Sequence, residues 1–465
     1  MQIEFLGACR QVTGSSFLFQ VNGLKILIDC GLYQEREYLS RNWADFPVPP
    51  EEIDFILLTH IHLDHCGLLP KVVRNGFKGK ILTTSASQDL LPVMLLDSAR
   101  IQEEDAVYKK KRHQKEGRKG PHPEIPLYTV SDAENVFPLV KSISYNEKIS
   151  LNSSVSTVFH DAGHILGAAI VEIKWKNERS EKSIIFSGDI GQWDKPIVQD
   201  PSVFKKADFI VMEATYGDRL HEDLEAVDIL LAKLVNQLVE AGGKLVIPTF
   251  AVERAQEILY HLSRLNRLGK IPTLPVFLDS PMAVDVTEIF QQHKALMDEE
   301  TRHLFEIGEP PFRFPGLKLI RSVEESKTIN DIKEPCIIMA GSGMCTGGRI
   351  KHHLVHTISS PENIILFVGY QAKGTLGRQI LEEKPEVRIL GKRHSVKARI
   401  EQIQGFSAHA DKNGLLSWLD NLESEPEAIF LVHGDEEVLE NFASETRTKN
   451  LKTLIPSYLE KYEKS

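Results

Sequence analysis

The sequence predicts an α/β protein in which one β-rich domain is split by a parallel α/β insertion. Three observations carry this. Short alternating apolar runs fill residues 1–29 and 139–190, the pattern of half-buried strands. From about residue 205 the pattern becomes strand, loop and helix in repeat, which implies a parallel sheet with short loops at its carboxyl edge. After about residue 395 the first pattern returns, and in EAIFLVHGDEE a histidine again closes an apolar run. The expected boundaries are 1–204 and 395–465 for the two parts of the first domain, with 205–394 inserted between them.

Composition sets limits on function. The chain has 465 residues, 42% apolar and 26% charged, which is ordinary for a water-soluble globular protein. No apolar run reaches transmembrane length, so no membrane partner is expected. MQIEFLGACRQ lacks the basic-then-apolar pattern of a secretory leader. The five cysteines are scattered, odd in number and without CxxC spacing, which fits a reducing cytoplasm better than a disulfide framework. A net charge of −10 argues against coating nucleic acid with a basic surface. It leaves room for a nucleic-acid enzyme, because a local groove or a metal pair can hold phosphate.

Taken in order, residues 1–29 read as a hairpin: SSFLFQV and LKILID flank VNGL, where Asn22-Gly23 is a turn signal. Asp29 ends the second strand before Cys30-Gly31; it is either a turn former or a support for a nearby site. The organising stretch is IDFILLTHIHLDH at 53–65. An apolar strand from Ile53 to Leu58 runs out at Thr59 into His60, His62, Asp64 and His65. Imidazole and carboxylate suit zinc, and this mixture could also hold iron or manganese. His60 and His62 share one face of a short extended segment and can reach one ion. Asp64 and His65 lie past the turn and point to a second. GLLPKVVRNG follows as a helix, then a strand and a long helix in KILTTSASQDLLPVMLLDSARIQ. Residues 109–119, KKKRHQKEGRK, are the most basic stretch, and Gly117, Gly120 and Pro121 mark it as a solvated loop, with contact to RNA as the other reading.

Two further ligand candidates close strands: His164 in HDAGHILGAA and Asp189 in IIFSGDIG. A two-metal site needs a group that bridges the ions, and Asp189 is the candidate bridge. In the middle region DFIVMEATYGDR is a strand ending at Glu213, and KLVIPTF leads into the helix AVERAQEILYHLSRL, closed by Gly269. The loops GSGM, with Gly341 and Ser342, and GYQAKGTLG sit at helix N-termini and could cradle phosphate, although turn geometry explains many such glycines. In the tail, QGFSAHADKNG places His409 before a helix, and His433 ends an apolar run.

Together HIHLDH, Asp29, His164, Asp189 and His433 resemble the metal-site motifs of the metallo-β-lactamase superfamily. The inserted middle, with Glu213-Ala214-Thr215-Tyr216-Gly217, then His409 and VHG at 432–434, resembles its β-CASP nuclease branch, and the match is similar to the RNA endonuclease subunit of the pre-mRNA cleavage and polyadenylation machinery and its bacterial and archaeal relatives. The similarity runs from GACRQVTGSS to VHGD; Asp435 departs from the usual Glu, and an N-terminal KH-type region, frequent in archaeal members, is not expected. The resemblance implies an αββα metallo-β-lactamase sandwich carrying an inserted parallel α/β β-CASP domain. It implies two Zn²⁺, one on His60, His62 and His164, the other on Asp64, His65 and His433, with Asp189 shared. Asp29 would orient a ligand or the attacking water. Asp64 would also belong to the catalytic group. His409, paired with Glu213, would protonate the leaving oxygen. Ser407 and nearby backbone amides would hold the scissile phosphate, with Gly341 and Ser342 as further substrate contacts.

The implied activity is hydrolysis of RNA phosphodiester bonds, as an endonuclease with 5′-exonuclease action left open, on single-stranded RNA. His433 stands where RNA-processing members of the branch tend to have His and DNA-repair members Val. Rival readings are a DNA nuclease of the same branch and an inactive scaffold subunit, although scaffold partners lose ligands and every ligand of the pattern is here. A flavo-diiron relative would have Glu where His62 stands, and small-molecule hydrolases lack an insertion of this size. A homo-oligomer or an RNA-processing complex is the expected assembly.

Overall fold

A computed structural model describes residues 1–117, 122–177, 180–221, 224–369, 371–372 and 374–464. They form two compact units. The first comprises 1–195, 199–220 and 409–465, and the second 196–198 and 221–408.

The first unit holds two seven-stranded sheets. In one the order is Lys461–Glu463, Gln2–Phe5, Phe17–Val21, Leu24–Ile28, Phe55–Leu57, Lys80–Thr84 and Val140–Ile143. In the other it is Thr453–Leu454, Ala428–Val432, Phe209–Glu213, Glu181–Phe186, Ala169–Lys176, Val155–Asp161 and Ile149–Ser150. Alternation along each strand sends one set of side chains inward, and the two inner faces share one core. Phe5 packs on Phe430 at 5.2 Å between ring centroids, and Phe19 on Trp175 at 5.4 Å. Burying each such ring contributes roughly 2–3 kcal/mol before entropy. Asn22 and Gly23, both at positive φ, close the hairpin that the sequence predicts. The long helix Ser85–Glu116 packs on the first sheet and Glu436–Thr448 on the second, completing the αββα sandwich.

The second unit is built on six strands whose pairings are all parallel: Leu317–Leu319, Val276–Leu278, Cys336–Ala340, Lys244–Pro248, Ile364–Phe367 and Arg399–Gln402. Strand, loop and helix alternate as expected, and the helix Arg254–Arg267 ends before Gly269 at φ +64°.

The compact units differ from the expected boundaries at two places. Phe209–Glu213 pairs in parallel with Glu181–Phe186 and Ala428–Val432, so the first unit continues to 220 and does not break at 204. Arg399–Gln402 pairs with Ile364–Phe367, so the second unit runs to 408 and does not end at 394. A strand buried on both faces reads the same in either sheet, so pattern alone could not assign it. The basic stretch is not a loop where it is described: 109–116 extend the helix Ser85–Glu116. Gly117, at φ +64°, is that helix's left-handed C-cap. Arg118 and Lys119 of that stretch, and Tyr370 and Lys373 of GYQAKGTLG, lie outside the described residues.

Candidate metal centre

The strand Phe55–Leu57 delivers the chain to the site, and the helical turn Leu63–Cys66 bends the ligands inward. The end of the neighbouring strand pins that turn. Ser15 N donates to Asp64 O at 2.8 Å, Cys30 N to His65 O at 2.7 Å and Leu32 N to Leu63 O at 2.8 Å. Gly31 permits the approach, since a Cβ there would meet Asp64 O at 1.7 Å.

Two side-chain groups result. In the first, His60, His62, His164 and Asp189 each place a ligand atom within 4.8 Å of the others. His62 Nδ1 lies 3.1 Å from His60 Nε2 and 3.3 Å from His164 Nε2. Asp189 Oδ2 stands 3.4 Å from His60 Nε2 and 3.5 Å from His164 Nε2. In the second group are Asp64, His65 and His433. His65 Nε2 and His433 Nε2 are 3.2 Å apart, and His433 Nε2 is 3.4 Å from Asp64 Oδ2. Asp189 turns its other oxygen here, with Oδ1 at 3.2 Å from His65 Nε2 and 3.7 Å from His433 Nε2. The two oxygens of one carboxylate thus face the two groups.

This donor set fits a pair of transition-metal ions. Nitrogens bound tetrahedrally to one zinc at about 2.0–2.1 Å stand roughly 3.3 Å apart, which is the spacing of the paired imidazoles. Asp189 is 2% exposed, and among the described residues no donor is aligned for a hydrogen bond to its Oδ1, an arrangement a cation would relieve. Burial holds His60 down to about 3 and His62 to about 4, so both are neutral imidazoles, the ligand form. Burial pulls His65 and His433 down as well, but Asp189 and its neighbours outweigh it and both are raised. The anionic surroundings favour positive charge at the second group, which is what a cation supplies.

Supporting residues fix the ligands. Asp29, 1% exposed, stands 2.7 Å from His65 Nδ1 and accepts from Thr59 N and Thr59 Oγ1, both at 2.8 Å. The carboxylate on Nδ1 leaves Nε2 turned to the site. Glu213 is fully buried, and its Oε1 accepts from Ile190 N at 2.7 Å and lies 3.0 Å from His409 Nδ1. His409 Nε2 is 3.8 Å from Asp189 Oδ2, and its side chain keeps 19% exposure. Burial lowers the His409 pKa, but Glu213 and Asp189 raise it to about 9. Glu213 also groups with Asp189 and His433 within ligand distance, yet its oxygens are engaged by Ile190, Thr215 and His409.

The structure thus brings ten of the sequence-predicted site residues together in the first unit: Asp29, His60, His62, Asp64, His65, His164, Asp189, Glu213, His409 and His433. Gly341, Ser342 and Ser407 belong to the second unit. Ser342 Oγ accepts from Thr346 N at 3.0 Å and Gly347 N at 3.2 Å, so it is engaged within its own loop. Sequence reasoning missed Thr59 and Thr215. Thr59 adjoins His60, and Thr215 lies two residues after Glu213 in the quoted EATYG; adjacency was the available signal.

Comparison with known proteins extends these observations. A family model described as a metallo-beta-lactamase superfamily domain matches residues 18–207, a Beta-Casp domain matches 255–380, and a Zn-dependent metallo-hydrolase RNA specificity domain matches 393–456. The chain is 38% identical over 439 residues to the Thermus thermophilus protein named ribonuclease TTHA0252, covering 94% of each. It is 32% identical to the transcription termination factor FttA of Methanocaldococcus jannaschii, covering 99% of this chain and 71% of that one. A crystal structure of a protein of unknown function from Enterococcus faecalis superposes with a TM-score of 0.54 at 12% identity over 99% of both chains, a likeness of fold alone. No helix among the described residues is long and apolar enough to cross a membrane. The chain belongs to the β-CASP branch of the metallo-β-lactamase superfamily of metal-dependent hydrolases.

Proposed function

We propose that this protein is a ribonuclease that uses two zinc ions to hydrolyse phosphodiester bonds in single-stranded RNA. The observation that carries the reading is the pair of imidazole–carboxylate groups facing the two oxygens of Asp189, with the His409–Glu213 pair beside them. The relative named a ribonuclease and the match to an RNA specificity domain support RNA as the substrate.

His60, His62 and His164 would hold one ion and Asp64, His65 and His433 the other, with the Asp189 carboxylate shared between the two groups. Ions held there would supply the acidity that lets a water attack near neutral pH and positive charge to offset that developing on the phosphate oxygens. Asp29 keeps the proton of His65 on Nδ1. Asp64 is placed at the rim of the second group, 19% exposed in its side chain, where it can also align the attacking water. His409 carries a proton on Nε2 toward the leaving oxygen, and Glu213 keeps that ring charged and oriented. Selection of RNA over DNA falls to contacts with the ribose 2′-hydroxyl. Five buried cysteines, none in a disulfide, suit a cytoplasmic enzyme. Work in a homo-oligomer or an RNA-processing complex completes the reading.

The test is the cleavage rate on matched single-stranded RNA and DNA oligonucleotides at one salt concentration. RNA is cut faster, leaving a 3′-hydroxyl and a 5′-phosphate. Equal or faster cutting of DNA overturns the RNA assignment. A 2′,3′-cyclic phosphate product overturns water as the nucleophile.

A further inference from the structure

We propose that Thr215 is a positioning residue whose hydroxyl ties His433 to Glu213, so that one buried carboxylate orients both His409 and a ligand of the second metal position. The inference rests on the two-metal reading above and concerns how this chain prepares one of its ligands.

The geometry is specific. Thr215 Oγ1 lies 2.5 Å from Glu213 Oε2, 2.9 Å from His433 Nδ1 and 2.9 Å from the His433 carbonyl oxygen. A hydroxyl has one proton to give and lone pairs to receive. Carboxylate and carbonyl oxygens only accept, and the shortest contact is to the carboxylate, so the Thr215 proton goes to Glu213. The imidazole must then donate. His433 Nδ1 carries the hydrogen, and Nε2 presents its lone pair to Asp64, His65 and Asp189. The other tautomer would put an N–H where a cation has to sit.

A comparison inside the same site strengthens this. His65, the other imidazole of the second group, has the Asp29 carboxylate directly on Nδ1 at 2.7 Å. Among the described residues, the hydrogen-bond partner of His433 Nδ1 is Thr215. The hydroxyl stands in the place of the carboxylate and passes the interaction on to Glu213. Glu213 meanwhile takes His409 Nδ1 at 3.0 Å on its Oε1. The backbone supports the arrangement, since His433 N donates to Ala8 O at 2.7 Å and Thr215 N to Glu213 Oε2 at 3.2 Å. His409, Glu213, Thr215 and His433 therefore form one hydrogen-bonded chain from the proton donor to the ligand.

Two substitutions separate the hydroxyl from the methyl group. Thr215→Val keeps the shape and removes the hydroxyl; Thr215→Ser keeps the hydroxyl and removes the methyl. The readout is zinc stoichiometry and affinity by chelator competition, without substrate. Thr215→Val weakens one of the two zinc ions by about 10–100-fold, the usual cost of losing a ligand's outer partner, while Thr215→Ser stays within about threefold of wild type. A role in packing alone predicts the reverse order. Wild-type affinity at both positions in Thr215→Val, or equal losses in both variants, overturns the inference while leaving the two-metal reading standing. Wild-type protein that binds fewer than two ions overturns that reading and the inference with it. A second measurement needs no variant: in zinc-loaded wild type labelled with ¹⁵N-histidine, His433 carries its hydrogen on Nδ1, and a spectrum placing it on Nε2 overturns the inference.

Discussion

Glu213→Gln tests how the His409 imidazole is kept charged. Glu213 is fully buried, and its Oε1 lies 3.0 Å from His409 Nδ1. Burial pulls the ring's pKa down, and Glu213 followed by Asp189 lifts it to about 9. The amide keeps the side chain's shape and withdraws its charge. If the ring returns to an ordinary value near 6.5, its charged fraction falls about fourfold at pH 7 and roughly 80-fold at pH 8.5. The sign follows from the raised value: the charged form prevails below the folded pKa and is lost as pH rises through it. Removing Glu213's charge therefore moves the alkaline limb of the rate profile to lower pH. Cations beside Asp189 offset part of that residue's pull, so in the loaded enzyme the limb lies at or below about 9. The assay is kcat/KM on single-stranded RNA across the pH range, with zinc content measured on the same samples. A limb displaced to lower pH at matched zinc occupancy is expected. A loss by one constant factor at every pH refutes the reasoning, because it would mean that Glu213 does not control the charge on His409.

Three substitutions probe the remaining roles. His409→Ala slows cleavage by roughly a hundredfold or more, the usual range for a lost general acid, with zinc content unchanged; zinc lost together with activity would make His409 a ligand. Asp189→Ala removes the oxygens facing both groups and lowers occupancy at both positions, read by elemental analysis; loss of one ion alone would contradict the bridge. Asp29→Asn turns an amide N–H toward one of the three donors now on the carboxylate. It costs about 1–3 kcal/mol in denaturant unfolding and weakens zinc about 10–100-fold by chelator competition; no change in either measure would reduce Asp29 to a turn former.

Much of the metal centre was legible because its ligands sit where strands end. His60, His62, Asp64 and His65 are close in sequence and share one turn, so local pattern sufficed. His164, Asp189, Glu213 and His433 show as single polar residues at the ends of apolar runs, and His409 as a histidine in the turn before a helix. Glu213 meets His433 through the pairing of Phe209–Glu213 with Ala428–Val432, a contact between segments more than two hundred residues apart that no local pattern encodes. The same pairing carries the first compact unit past 204, to 220. Asp29 read as a turn former or a support, and only the contact with His65 distinguishes the two. Thr59 and Thr215 escaped notice because a threonine hydroxyl carries no charge and its role exists only through tertiary partners. The basic stretch misled for a local reason: Gly117 marks a helix end as readily as it marks a loop.

The central claim is that two ions sit on either side of Asp189. Crystals grown with zinc, measured on both sides of the zinc absorption edge, test it most directly. Two anomalous peaks about 3.5–4 Å apart are predicted, as in other two-metal hydrolases, one among His60, His62 and His164 and the other among Asp64, His65 and His433, each against one oxygen of Asp189. A single peak, or two peaks that leave Asp189 bound to neither, would contradict the account.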